Sequence, residues 1–433
     1  MRTTVIHTIQ DITLFKNQLL QWSQQFREVV FLDSNNYHQK YSSYDAVLAV
    51  DALTSLRTDY HNAFEDLQTY QQTTKDWLFG YLAYDLKNDT EQLQSSNFDG
   101  LEFPDLFFFQ PKKLFFIKEN RLTLSYLAMC DDEIEDDIKE ITAIIPNHNG
   151  QVSSKPLHIQ QRVSKQDYLH KVNTMLGHIL RGDIYEANFC MEFYNATADI
   201  TPLNVYQKLN AISEPPFAVY FKNHNHYVLS ASPERYLRKD GSKIISQPIK
   251  GTARRSDDLN EDIQIKDLLH SNEKERAENI MIVDLVRNDL SHTAAKGSVK
   301  VEELCEAYTF KQVHHLISTV VSHVEDGISP VEVIKTTFPM GSMTGAPKIS
   351  AMKIIESLEA TKRGVYSGAI GYFTPDGDFD FNVVIRSILY NSQNKYLSFS
   401  VGSAITAGSV PESEYAECLL KANAMHKVLN ADA

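Results

Sequence analysis

Between Phe379 and Leu389 apolar and polar residues alternate: Phe379, Phe381, Val383 and Ile385 fall on one side, Asp380, Asn382 and Arg386 on the other. A period of two places successive side chains on opposite faces of a strand and excludes a helix. Asp376-Gly377 just before it supplies a turn, and Leu397, Phe399 and Val401 repeat the pattern against Ser398 and Ser400. This commits the region to antiparallel hairpins with one polar face around Arg386. Arg235 to Gln247 reads as another hairpin, turning at Lys239-Asp240-Gly241-Ser242. With Asp240-Gly241 as a two-residue loop, Glu234 is expected opposite Gln247. Its carboxyl group then shares an end of the sheet with Lys250.

Elsewhere the periods change. Tyr168, Val172, Met175, Leu176 and Ile179 recur at helical spacing across Asp167–Arg181. Further helices are expected to open at Glu273 and Pro411, and His314-His315 lies in a run (Val313, Leu316, Ile317, Val320) that reads as an apolar helix. A histidine in such a run is commonly a hydrogen-bonded core residue. Val29–Ser34 and Trp77–Asp85 read as buried strands. Residues 146–154 are the best linker candidate, which divides the chain into an N-terminal lobe, 1–150, and a region 156–433. The 433 residues are 42% apolar and 23% charged, enough for a large core. A net charge of −14 with no basic run argues against nucleic-acid binding. No apolar window is long enough for a membrane span, and the start lacks a signal peptide. The four cysteines (Cys130, Cys190, Cys305 and Cys418) are scattered without metal spacing, as reduced thiols of a cytoplasmic protein would be.

Several residue types carry chemistry. Lys250 stands in Gln247-Pro248-Ile249-Lys250-Gly251-Thr252. Pro248 removes a backbone donor and Gly251 frees the chain, which suits a side chain aimed inward from a strand end. A desolvated amine there acts as base or nucleophile; the bland alternative is a surface lysine in a turn. Glu275 and Glu278, and separately Glu414 and Glu417, are i, i+3 pairs on one helical face. Two such faces together could hold a hard cation such as Mg²⁺, whereas an isolated pair is commonly a solvated face. Arg386 amid serines suits a carboxylate clamp or a structural ion pair. Gly341 to Lys348 has the wrong spacing for a phosphate loop, and Pro347 stands where a cradle amide belongs, so nucleotide binding is rejected.

Taken in order, these segments resemble one family: Gly182–Asn188, Ser232–Arg235, Pro248–Thr252, Lys274–Asn279, Val283–Leu290, Gly341–Lys348, Val384–Ser387 and Ser409–Glu417. The chain is identified as resembling the chorismate-utilising enzymes, strongly over 156–433 and more weakly through Leu32-Asp33-Ser34 and Gly80–Asp85. The resemblance implies an α+β fold of two antiparallel β-sheets packed face to face with helices on the outside, one unit rather than independent domains. It implies Lys250, Glu234 and His315 as catalytic residues. It places Glu186, Asn188, Thr252, Thr344, Gly345, Tyr372, Arg386, Gly402 and Lys421 at the substrate. Glu278 and Glu417 would hold Mg²⁺, with Glu275 and Glu414 reaching its water.

Lysine at 250 is what the family's aminodeoxychorismate synthases carry where anthranilate synthases have alanine. The resemblance therefore implies conversion of chorismate and ammonia to 4-amino-4-deoxychorismate, a folate precursor. Anthranilate synthase component I and a non-catalytic regulatory subunit are the alternatives. No Cys-His-Glu glutaminase pattern is visible, so a separate glutamine amidotransferase subunit is implied, and nothing after Ala433 leaves room for a fused lyase. Position 186 is usually glutamine in amine-forming members and lysine in those that activate water; here it is glutamate. Ala404 replaces a family glycine after Gly402-Ser403 and is expected to tighten the pocket. Asn279 stands where histidine is commoner. Family members hold tryptophan in the N-terminal half, which leaves that ligand open here.

Overall fold

The computed structural model describes residues 1–37, 40–91, 93–146, 157–311 and 313–429. The linker candidate, Pro146 apart, lies outside the described residues. Two antiparallel layers share the long strands Ala46–Thr58 and Leu106–Lys118. The first layer runs from Glu186–Asn195 through Tyr396–Thr406, Ser387–Asn391, His226–Ser232, Phe217–Asn223 and Glu28–Asp33 to Ala46–Thr58. Arg121–Leu127 and Arg2–Thr8 complete it beyond Leu106–Lys118. The second runs from Leu78–Leu82 through Ala369–Phe373, Phe379–Val383, Arg235–Asp240 and Lys243–Gln247 to Val313–His323. Ile249–Arg254 and Lys300–Thr309 flank that last strand. The layers part along one edge of Leu106–Lys118, where residues 106–109 pair with Leu78–Leu82 and residues 113–118 with Arg121–Leu127. Pro111, which has no N–H to donate, falls in the unpaired gap between them.

Burial explains the layering. Val30, Val219 and Phe221 of the first layer meet Tyr81, Ile370 and Tyr372 of the second, and the Tyr81 and Phe221 rings cross edge-on at 5.3 Å. Each such buried aromatic or branched side chain contributes about 1.5–3 kcal/mol relative to exposure. The helices Lys165–Arg181, Pro202–Ser213 and Pro411–Leu429 cover the outside of the first layer through Tyr168, Val172, Val205, Tyr415 and Met425. Ala63–Thr74, Glu273–Ser291 and Pro330–Thr337 cover the outside of the second. Local chemistry sets their starts: the Ser164 hydroxyl accepts from the Asp167 amide, and the Asn272 side chain accepts from the Glu275 amide. Among the described residues no helix is long and apolar enough to cross a membrane.

Three expectations need correction. His314 and His315 lie on the strand Val313–His323, not on a helix. That strand is buried on both faces, so its apolar run lacks alternation, and its branched Ile317, Thr319, Val320 and Val321 favour the strand. The hairpin loop is Gly241-Ser242, with Asp240 opposite Lys243. A register shift between Arg235 and Arg238 then puts Arg235, not Glu234, opposite Gln247. Finally, Phe379–Val383 and Ser387–Asn391 are separate strands. Arg386 sits in the break with φ +53°, a left-handed conformation that costs a non-glycine residue roughly 1 kcal/mol or more. It therefore leaves the face that Asp380 and Asn382 occupy.

Candidate active site

Lys250 ends its aim inside the protein. Its Nζ lies 3.1 Å from Glu186 Oε1, with both side chains largely buried. Glu186 is fixed from both sides, because its strand position pairs with Ala346 and with Thr406. Burial works to strip the proton from Lys250, but the carboxylates of Glu186 and Glu278 outweigh it and hold the ammonium above its usual range. Gly251 gives the strand its turn, with φ +93°, and a Cβ there would meet Glu275 Oε2 and Leu316 at 3.1 Å. Asn279 reaches from its helix to the Lys250 carbonyl (3.2 Å) and the Leu316 carbonyl (3.3 Å) while accepting from Ser318, so it pins the lysine's backbone.

Glu234 is buried, and burial pushes its carboxyl up to about 7, partly offset by a 2.6 Å hydrogen bond from Ser342 and by the Lys250 charge. A carboxyl group half-protonated near neutrality can donate a proton where an unperturbed glutamate cannot. His315 Nδ1 lies 2.9 Å from Thr252 Oγ1 and 3.3 Å from the Gly251 carbonyl. A carbonyl only accepts, so Nδ1 carries the hydrogen and Nε2 keeps a lone pair. Burial and the nearby Arg386 lower the imidazole to about 3, so it is neutral. His315 and Arg386 line one cavity with Pro233, Phe310 and Met425. The Arg386 guanidinium has no hydrogen bond or ion pair among the described residues, which leaves it free for an anion.

The small residues hold the floor. Gly345 pairs with Ala187, and the Asn188 amide donates to the Thr344 carbonyl while its side chain donates to the Ser342 carbonyl. Thr344 turns its own hydroxyl back to Met340 and Gly341, so it shapes the loop. At Gly402 a Cβ would fall 2.6 Å from both Asn188 Oδ1 and Cys190 Sγ, and only glycine fits. Lys421 Nζ donates to the Gly402 carbonyl at 2.8 Å and pairs with Glu417 at 2.6 Å.

Of the four helix carboxylates, Glu275, Glu278 and Glu417 are electrostatically coupled. Burial raises Glu278 to about 7; Glu275 is raised by burial and by Glu417. Glu414 is buried on the same helix as Glu417, and the charge it adds acts on Tyr168 instead. Among the described residues no three acidic, histidine or cysteine side chains converge tightly enough to hold a metal ion. The carboxylates that remain, Glu278 beside Glu275 and Glu275 beside Glu417, are oxygen donors of the type that hard cations take.

Tyr372 stands apart from this group. Its ring packs 5.4 Å from Phe79 and 5.6 Å from Trp77, and it lines a separate cleft with Leu32, Asp33, Ser34, Arg235 and Asp380. The tyrosine that faces Arg386 electrostatically is Tyr366, whose hydroxyl lies 3.7 Å from Cys190 Sγ and is kept protonated by burial. The sequence reading missed Tyr366 and Ser342. The position of Tyr366 in the turn before Ala369–Phe373 was the available signal.

The profile of the chorismate binding enzyme family matches residues 27–427. The chain belongs to that family. It is 33% identical over 411 residues to a probable aminodeoxychorismate synthase, chloroplastic, from Oryza sativa subsp. japonica, covering 84% of this chain and 46% of that protein. The chain thus spans about half of that relative's length. It is 32% identical over 388 residues to anthranilate synthase component 1 of Thermus thermophilus, covering 88% of this chain and 83% of the relative. Among solved structures, anthranilate synthase component I from Streptococcus pneumoniae superposes with a TM-score of 0.79 at 24% identity, covering 90% of this chain and 94% of that one. That likeness carries the fold: a mixed structure with extensive antiparallel sheet. Two differently named relatives stand at nearly equal identity, so overall similarity does not choose between their activities.

Proposed function

We propose that the chain is an aminodeoxychorismate synthase component I, converting chorismate and ammonia to 4-amino-4-deoxychorismate. One observation carries the reading: a buried lysine, Lys250, is aimed into the same site as a carboxyl group poised near neutrality, Glu234. In this reading Lys250 Nζ attacks ring carbon C2 while the C4 hydroxyl departs with the proton of Glu234. Ammonia then enters at C4 and expels the lysine. Two displacements replace one difficult exchange of hydroxyl for amine. Arg386 clamps a substrate carboxylate, the neutral His315 offers Nε2 beside the ring, and Gly402 lets its strand close against Asn188 and Cys190 at the floor of the site. Glu278 and Glu417 would hold Mg²⁺, which when bound supplies positive charge for the ring carboxylate. Ammonia would come from a separate glutamine amidotransferase. In the same reading, the cleft at Leu32-Asp33-Ser34 would be the place for a tryptophan ligand.

The test is product analysis by mass spectrometry after incubation with chorismate, Mg²⁺ and an ammonium salt. Aminodeoxychorismate from the wild type and none from Lys250→Ala is the expected result. Anthranilate as the main product would move the chain to the activity named for its Thermus relative.

A further inference from the structure

Glu186 is 1% exposed, and only one of its oxygens is accounted for: Oε1 faces Lys250, while Oε2 is buried without a hydrogen-bond partner. Leaving a buried acceptor unpaired costs about 1–3 kcal/mol, so nothing in folding alone favours a glutamate there. The other acids facing Lys250 are differently placed. Glu275, Glu278 and Glu417 interact with it electrostatically from two helices, Glu234 is engaged by Ser342, and Lys421 is tied to Glu417. Among the described residues Glu186 alone is within hydrogen-bonding distance of Nζ, and its backbone is paired on both sides.

We propose that Glu186 is a further catalytic residue: the base that takes the proton of Lys250 as the amine attacks. The proposal rests on the aminodeoxychorismate synthase reading. The Lys250 ammonium passes one proton to the Glu186 carboxylate, and the freed lone pair forms the bond to C2. The C4–O bond breaks, and its oxygen leaves as water with the Glu234 proton. When ammonia bonds to C4, the C2–N bond breaks and Lys250 departs as a neutral amine, which recovers its proton from Glu186. The new ammonium group returns one proton to Glu234, so chorismate and ammonia give aminodeoxychorismate and water. The proton passes to Oε1, the oxygen that faces Nζ.

Glu186→Gln keeps the shape and removes the base. At pH 7 its kcat is expected to fall about 10²-fold or more, the range for loss of a general base, with KM for chorismate little changed. Its kcat should climb with pH as bulk solvent takes over deprotonation, and Glu186→Asp should restore part of the rate. Independently of chorismate, acetylation of Lys250 followed by mass spectrometry reports the pH at which the amine becomes free. That midpoint should fall by about one unit or more in Glu186→Gln, since a facing carboxylate is lost. A wild-type kcat and pH profile in Glu186→Gln, or an unmoved acetylation midpoint, would overturn the proposal. If the wild type makes no aminodeoxychorismate, the reading of the reaction fails by itself, and the acetylation midpoint still decides whether Glu186 holds the lysine's proton.

Discussion

Two buried ion pairs stand close together in this molecule and differ in one respect. Arg363 donates to both oxygens of Glu359 (2.9 and 2.6 Å), to the Met343 carbonyl and to the Asn188 carbonyl, and stacks over Tyr84. Glu359 also accepts from the Cys190 amide. Lys250 and Glu186 share a single 3.1 Å contact, and an oxygen is left over. A saturated pair rigidifies its surroundings, and here it ties the strand of Asn188 to the loop of Met343. An unsaturated one holds capacity for a ligand or a proton. The first pair builds the site and the second is available to work in it.

Breaking each pair should therefore have opposite consequences. Lys250→Ala is expected to abolish aminodeoxychorismate formation while the thermal melting temperature changes little, because the lysine gives up only its single contact with Glu186. Arg363→Met should cost about 3–5 kcal/mol of stability in chemical denaturation, the penalty for stranding a buried charge. A stable Arg363→Met protein or a collapsed Lys250→Ala protein would erase the distinction.

Two smaller effects sharpen it. Glu234→Gln should lower kcat by about 10²–10⁴-fold with its fold intact, as judged by circular dichroism. Ser342→Ala removes the donor that holds Glu234 down. Its carboxyl should titrate above about 7, and the falling limb of the rate–pH profile should move to higher pH. A limb moving to lower pH would separate Glu234 from the proton donation assigned to it.

Much of the site could be read along the chain because its parts announce themselves locally. Gly251 beside Lys250, the Asn272 cap before Glu275, and Glu275 to Glu278 at one helical turn are short-range relations. What failed was non-local. Alternation carries Arg386 onto the face of Asp380 only if the strand continues, and the break at residues 384–386 is set by packing. Tyr366 and Tyr372 differ by an even number of positions, so period two cannot separate them, yet the turn between sends one to Arg386 and the other to Trp77. The hairpin register slipped because the irregularity between Arg235 and Arg238 has no marker such as glycine. His315 was hidden by a strand with two buried faces. In each case a tertiary contact overrode a sound local rule.

The central claim is that Lys250 bonds to the substrate ring. Incubating the protein with chorismate and Mg²⁺ but no ammonia, quenching, and sequencing peptides by mass spectrometry tests it directly. The account predicts a peptide carrying, on Lys250, the mass of chorismate less one water, lost again when ammonium is added before the quench. Aminodeoxychorismate formed at full rate by Lys250→Ala protein, or a wild-type Lys250 that stays unmodified without ammonia in a preparation that forms product once ammonium is added, would contradict it.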